Sequence, residues 1–120
     1  MGTRSLTYTY DGNGEKIICL YRQFDGYPEG HGSDLADVLL DTRNNGIECL
    51  SASIIAKLKT GWGNIYLYPT STGDCGQEYE YHVYEDRVEI RGYPFEDRVI
   101  FSGTYYEFKE FCQEQNRKAG

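Results

Sequence analysis

The segment from Tyr21 to Asp34 carries the residues whose types and spacing best suit chemistry. A strand-like run delivers Tyr21, Arg22 and Gln23 to its end. The loop Phe24-Asp25-Gly26-Tyr27-Pro28-Glu29-Gly30-His31-Gly32 follows, and Ser33 and Asp34 open a helical pattern. Backbone N–H groups at a helix start, beside an arginine, make a ready anion site. Gly26, Gly30 and Gly32 let a ligand approach the main chain closely. Tyr27 and Phe24 offer flat faces to a ring, and Asp25 accepts bonds from a hydroxyl or amine. The segment contains neither GxxxxGK(S/T) nor GxGxxG, so it matches no established phosphate-loop pattern. The structural alternative gives the glycines to a tight connection, Asp25 to a turn cap and Arg22 to an ion pair with Asp25 or Glu29.

The remaining reactive residues are sparse. The two histidines, His31 and His82, show neither HExxH nor HxH spacing, which argues against a catalytic metal, and no cofactor is expected. The cysteines Cys19, Cys49, Cys75 and Cys112 form no CxxC pair. Cys19 falls mid-strand and Cys112 on an apolar helix face, where thiols are inert. Cys75 lies in a polar loop, so a Cys75–His31 pair is the one thiol arrangement that chemistry would use. Tyr66, Tyr68, Tyr79 and Tyr81 line a pocket or, more plainly, pair across strands. Trp62 stands between Gly61 and Gly63 and packs under a helix or at a subunit contact.

These residues need a scaffold. The 120 residues fit one domain, 1–120, long enough to bury a core without metal or disulfide. Leu6, Tyr8 and Tyr10 alternate with Ser5, Thr7 and Thr9, the period of a half-buried strand. Asp11-Gly12-Asn13-Gly14 is a hairpin turn leading to the apolar strand Ile17–Tyr21. Ser33 is placed as the N-cap of a first helix with Leu35, Val38 and Leu39 inward. A second helix spans about 49–60, with Leu50, Ile54 and Leu58 on one face and Gly61 after it. Short strands follow at 65–68, 79–84, 87–91 and 98–101. Thr104 and Glu107 form a capping box for a third helix with Tyr105, Phe108, Phe111 and Cys112 inward. The order β-β-α-α-β-β-β-β-α indicates an α+β fold, an antiparallel sheet of five to six strands packed with about three helices.

The net charge of −7 argues against direct binding of a nucleic-acid polymer or an anionic membrane. Acids alternate with bases, as in Glu85-Asp86-Arg87, so the surface is not a phosphate-like array. The start of the chain lacks an apolar leader, and no run is long enough to span a membrane, so a cytoplasmic location is expected.

Three stretches form a recognisable set: Met1-Gly2-Thr3-Arg4-Ser5-Leu6-Thr7, Tyr21 to Gly32, and Ile65-Tyr66-Leu67-Tyr68-Pro69. With Asp74-Cys75-Gly76 and Tyr79-Glu80-Tyr81 they resemble a family of small bacteriophage and bacterial proteins without an assigned activity. The chain departs from that pattern around 41–50, where relatives carry a longer insert. The resemblance implies a counter-defence role in a host cytoplasm, either blocking a host protein or sequestering a host signalling nucleotide.

The combined expectation is non-catalytic binding of a small nucleotide-like, phosphate-bearing ligand by a homo-oligomer. Arg22 and Arg4 would pair with phosphate, Tyr27 or Tyr68 stack on the base, Asp25 and Gln23 hold ribose or base edges, and His31 donate to phosphate. Tyr21 and Gly30 complete the predicted set. The alternatives are an acidic inhibitor docking on a basic host protein, and a small hydrolase using His31 with Asp25 or Cys75.

Overall fold

The computed structural model describes residues 2–119, so Met1, which opens the first of those stretches, lies outside them. Strands β1 (Ser5–Tyr10) and β2 (Lys16–Arg22) form the expected hairpin. Asp11 shapes its turn, its Oδ1 accepting the N–H groups of Asn13 and Glu15, while Gly14 takes φ 81°. Helices α1 (Ser33–Thr42) and α2 (Ile47–Leu58) follow, then strands β3 (Ile65–Tyr68), β4 (Tyr79–Val83), β5 (Val88–Gly92) and β6 (Val99–Gly103), and helix α3 (Tyr105–Ala119). The Thr104–Glu107 capping box is present, with each side chain bonded to the other's backbone N–H. Tyr105, Phe108 and Cys112 face the core as expected.

The architecture is α+β, but the sheet is mixed. Its order is β3-β2-β1-β4-β5-β6, and β1 pairs with β4 in parallel. The reason lies in the connection after β3. Because β3 is antiparallel to β2 and β2 to β1, β3 and β4 run the same way. Segment 69–78 must therefore cross β2 and β1 instead of turning back as a hairpin. It lies over the sheet face opposite the helices, where the Tyr8 hydroxyl donates to the Thr72 carbonyl at 2.8 Å.

That crossing changes the meaning of β1. Its alternation predicts one buried and one exposed face, yet Ser5 through Thr9 are all buried. Leu6 and Tyr8 join Cys19 and Tyr21 in a small cluster beneath the crossing segment. Ser5, Thr7 and Thr9 face the helices. Buried hydroxyls need partners, and two are supplied: Thr9 Oγ1 accepts from Ser51 Oγ of α2 at 2.8 Å, and Thr7 Oγ1 bonds His31 at 2.7 Å. The main core lies on this same side, between Leu20, Tyr81, Val83 and Ile90 of the sheet and Leu35, Leu39, Ile54 and Phe108 of the helices.

Residues 28–32, read from sequence as irregular loop, form a π-helical turn that runs straight into α1. Pro28 stands at its first position, where a missing N–H costs nothing. Ser33 consequently sits inside continuous helix and makes no side-chain cap.

Gly26 presses against the start of β1, where an added Cβ would lie 2.8 Å from Ser5 Cβ and 2.9 Å from the Arg4 carbonyl carbon. Gly26→Ala should therefore destabilise the fold by about 1–3 kcal/mol in urea unfolding. Gly12→Ala, with nothing within 4 Å of the new methyl, should stay within about 0.5 kcal/mol of wild type.

Candidate functional site

His31 fixes the geometry around Arg22. Its imidazole is 0% exposed. Arg22 NH1 reaches His31 Nδ1 at 3.3 Å, and a guanidinium only donates, so Nδ1 carries no proton. Nε2–H then donates to Thr7 Oγ1 at 2.7 Å. Burial, reinforced by the Arg22 charge, lowers the His31 pKa from 6.5 to about 3. His31 is thus a neutral structural imidazole, buried and with both nitrogens engaged, and not the phosphate donor that the sequence reading expected. With both nitrogens engaged it is also unsuited to the hydrolase role.

Arg22 is held in turn. Its Nε donates to the Phe24 carbonyl at 2.8 Å, and NH1 donates to Asp34 Oδ2 at 3.0 Å as well as to His31. The ion pair is thus with Asp34, in the first turn of α1, and not with the predicted Asp25 or Glu29. The Arg22 side chain keeps 16% of its surface exposed. That surface borders two cavities.

The first, of about 590 Å³, lies between α1 and the end of α2 and is lined by Arg22, Asp34, Asp37, Asp41, Lys57, Thr60 and Asn64, over an apolar floor of Val38 and Leu58. Lys109 pairs with Asp37 at 3.3 Å and Arg22 with Asp34. Among the described residues no ion pair engages Lys57 or Asp41. Asn64, at φ 54°, donates its amide to Leu58 O and Thr60 Oγ1, while its buried Oδ1 has no partner.

The second cavity, of about 520 Å³, is lined by Arg22, Asp25, Tyr27, Glu29, Gly30, Asp34 and Asn116. Here Tyr27 donates its hydroxyl to Asp25 Oδ1 at 3.1 Å, and that bond raises the Tyr27 pKa. The expected helix-start anion site is absent from this wall. The N–H of Gly30 turns to Tyr27 O, that of His31 to Asp25 O and that of Gly32 to Tyr27 O. Three carboxylates also surround the one arginine, which opposes an anion.

The structure therefore gathers Arg22, Asp25, Tyr27 and Gly30, with His31 beneath them. Gln23 is adjacent, its N–H donating to Asn64 O. The other three predicted residues lie elsewhere. Arg4 extends to Gly76, within 2.8 Å of where a Cβ would stand, beside the crossing segment. Tyr21 and Tyr68 stack on each other on the opposite sheet face, with centroids 5.2 Å apart. Cys75 packs on that face too, so the sheet separates it from His31. Burial raises the Cys75 thiol, and pushes Cys19 to about 11 and Cys112 to about 12, so none of the three is an activated nucleophile.

Sequence reasoning missed Asp37, Asp41, Lys57, Thr60 and Asn64. The available signal was the spacing of Asp34, Asp37 and Asp41, which repeats along one side of α1 opposite its apolar stripe. It also missed a relay on the open face. Gln77 Nε2 donates to Glu80 Oε2 at 2.9 Å, His82 Nε2 meets Glu80 Oε1 at 3.0 Å, and the Tyr10 hydroxyl meets His82 Nδ1 at 2.6 Å. Burial would raise Glu80, but the bonds from His82 and Gln77 outweigh it and the carboxyl is lowered. Burial raises Tyr10. Its rings are packed by their own neighbours in the order Arg87, Tyr84, Tyr10, His82, Tyr8, Lys16.

Family models, curated proteins and solved structures were compared with the chain, and none matches. The site is therefore read from its own geometry.

His31 generates a pH prediction. The unfolded chain takes up its proton near 6.5 and the folded chain near 3, so the unfolded state binds more protons between those values. Its contribution to stability is complete above 6.5 and is lost as pH falls toward 3, by up to about 1.4 kcal/mol per pH unit. Urea unfolding across this window should show that slope, and His31→Gln should flatten it while lowering stability overall.

Proposed function

We propose that this chain is a non-catalytic binding protein, and that the groove between α1 and the end of α2 takes a small nucleotide-like ligand with a single negative charge. One observation carries the reading. In a cavity of about 590 Å³, the only charges left outside ion pairs among the described residues are one cation, Lys57, and one carboxylate, Asp41. The volume suits a nucleotide-sized molecule. Lys57 and the exposed edge of Arg22 would receive the anionic group. Asp41 would accept from sugar hydroxyls or an exocyclic amine. Because Arg22 is already fixed by Phe24, His31 and Asp34, little ordering is required of it on binding.

The charge balance narrows the phosphate-bearing class expected from sequence. A nucleoside triphosphate brings several negative charges toward Asp34, Asp37 and Asp41, whereas a cyclic or phosphodiester nucleotide brings one per phosphorus. Sequestering a host signalling nucleotide, as the motif resemblance implies, is consistent with that narrower class. The acidic-inhibitor alternative rests on the same row of aspartates and predicts salt-sensitive binding of a basic protein instead.

Thermal unfolding against cyclic AMP, cyclic GMP, AMP and ATP tests the reading. The singly charged cyclic nucleotides should raise the melting temperature by several degrees at saturating concentration and be recovered intact. Lys57→Ala should weaken their binding about tenfold or more while leaving the ligand-free melting temperature nearly unchanged. No shift with any of the four, or a shift indifferent to Lys57→Ala and Asp41→Asn, would overturn it.

A further inference from the structure

We infer that Trp62 is the ring-stacking element of this site, closing over the groove onto the base of a bound nucleotide. The inference rests on the groove reading above and names the part of the ligand that reading leaves unheld.

Trp62 is fully exposed, the most exposed large apolar side chain among the described residues, and the chain's only tryptophan. An indole left wholly in water gives the fold none of the stabilisation that aromatic burial supplies. The fold instead builds a mount for it. Trp62 sits at the tip of the connection from α2 to β3, and Thr60 and Asn64, on either side of the tip, both line the groove. The base of the connection is fixed. Lys59 Nζ donates to the carbonyls of Gly63 at 2.6 Å and Ile65 at 2.9 Å, Asn64 donates to Leu58 O and Thr60 Oγ1, and Asn64 O accepts from Gln23 N.

The tip is free where the base is fixed. Gly61 has φ 137° and nothing within 4 Å of a would-be Cβ, so no neighbour packs on that side of it. Gly63 has φ 71°, a conformation that other residues rarely adopt. A tryptophan between two such glycines, anchored on both sides at the rim of a cavity, can be laid across that cavity by rotation about Gly61 and its own side-chain torsions. The groove offers acceptors and one free cation for the sugar and phosphate, but its apolar floor is only Val38 and Leu58. A purine needs a flat face on at least one side, and the indole supplies it.

As the only tryptophan, Trp62 reports on itself by fluorescence. Titrating the whole chain with cyclic AMP should quench its emission and shift it to shorter wavelength, while ribose 5-phosphate, which lacks a ring, should leave the wavelength unchanged. In calorimetry, Trp62→Ala should weaken cyclic AMP binding by roughly 5- to 150-fold, the range for one base stacked on an aromatic side chain. Trp62→Phe should recover part of the loss. Cyclic AMP binding with equal affinity in wild type and Trp62→Ala, with unchanged emission, overturns the stacking role and leaves the groove reading standing. Absence of cyclic AMP or cyclic GMP binding in calorimetry overturns both. Emission already blue-shifted without nucleotide, and more so at higher protein concentration, overturns the inference by assigning Trp62 to a contact between two copies of the chain.

Discussion

A buried imidazole must have both ring nitrogens answered by the protein, because no water reaches them. His31 meets that demand with Thr7 from β1 on one side and Arg22 from β2 on the other. Both partners come from the helix-facing side of the sheet, so the bond pair sets how the π-helical turn and α1 sit on the hairpin. Several close packings depend on the same placement. Gly30 lies where a Cβ would meet Asp25 O at 2.6 Å, and Gly32 where it would meet Cys112 Sγ of α3 at 2.7 Å. Tyr81 completes the seat by donating to Gly26 O at 2.7 Å and meeting the His31 ring edge-on. Arg22, fixed from below by His31 and from the side by Phe24 and Asp34, is the outward end of this buried polar chain.

The two sheet faces divide the work. The helix face holds the large core and, at its margin, the Arg22 grooves. The other face is a self-contained layer in which the crossing segment, the Gln77–Glu80–His82–Tyr10 bonds and a run of stacked rings satisfy one another. Both arginines of the predicted phosphate pair exist in this plan, but they serve different faces. Arg4 reaches the crossing segment at Gly76, and Arg22 braces the turn before α1.

Most elements were legible because local chemistry marks them. The hairpin needs Asp11 and Gly14, α3 needs Thr104 and Glu107, and each shows in the residues themselves. Pairing across the sheet was not legible. Strand β3 is short and ends at Pro69, which fits a hairpin to β4 as well as the observed crossing, and no local residue distinguishes the two. The crossing in turn hides why Ser5, Thr7 and Thr9 are buried: a polar strand face usually meets water, and here it meets His31 and Ser51. The site was half legible. Asp25, Tyr27, Gly30 and Arg22 do converge, as their shared loop implies. Lys57, Thr60 and Asn64 come from the far end of α2, and only the packing of α1 against α2 brings them beside Arg22.

The placement of Arg22 depends on His31 being neutral, with its proton on Nε2 and its Nδ1 facing Arg22. Nitrogen NMR of the ¹⁵N-labelled imidazoles across a pH series reads this directly. The structure predicts one histidine whose Nε2 stays protonated and whose Nδ1 stays bare as pH passes well below 6.5, in keeping with a pKa of about 3. A His31 that takes up a second proton near 6.5, or that carries its single proton on Nδ1, would mean that the buried chain from Thr7 to Asp34 is not formed. Arg22 would then have lost the anchor on which the proposed site depends.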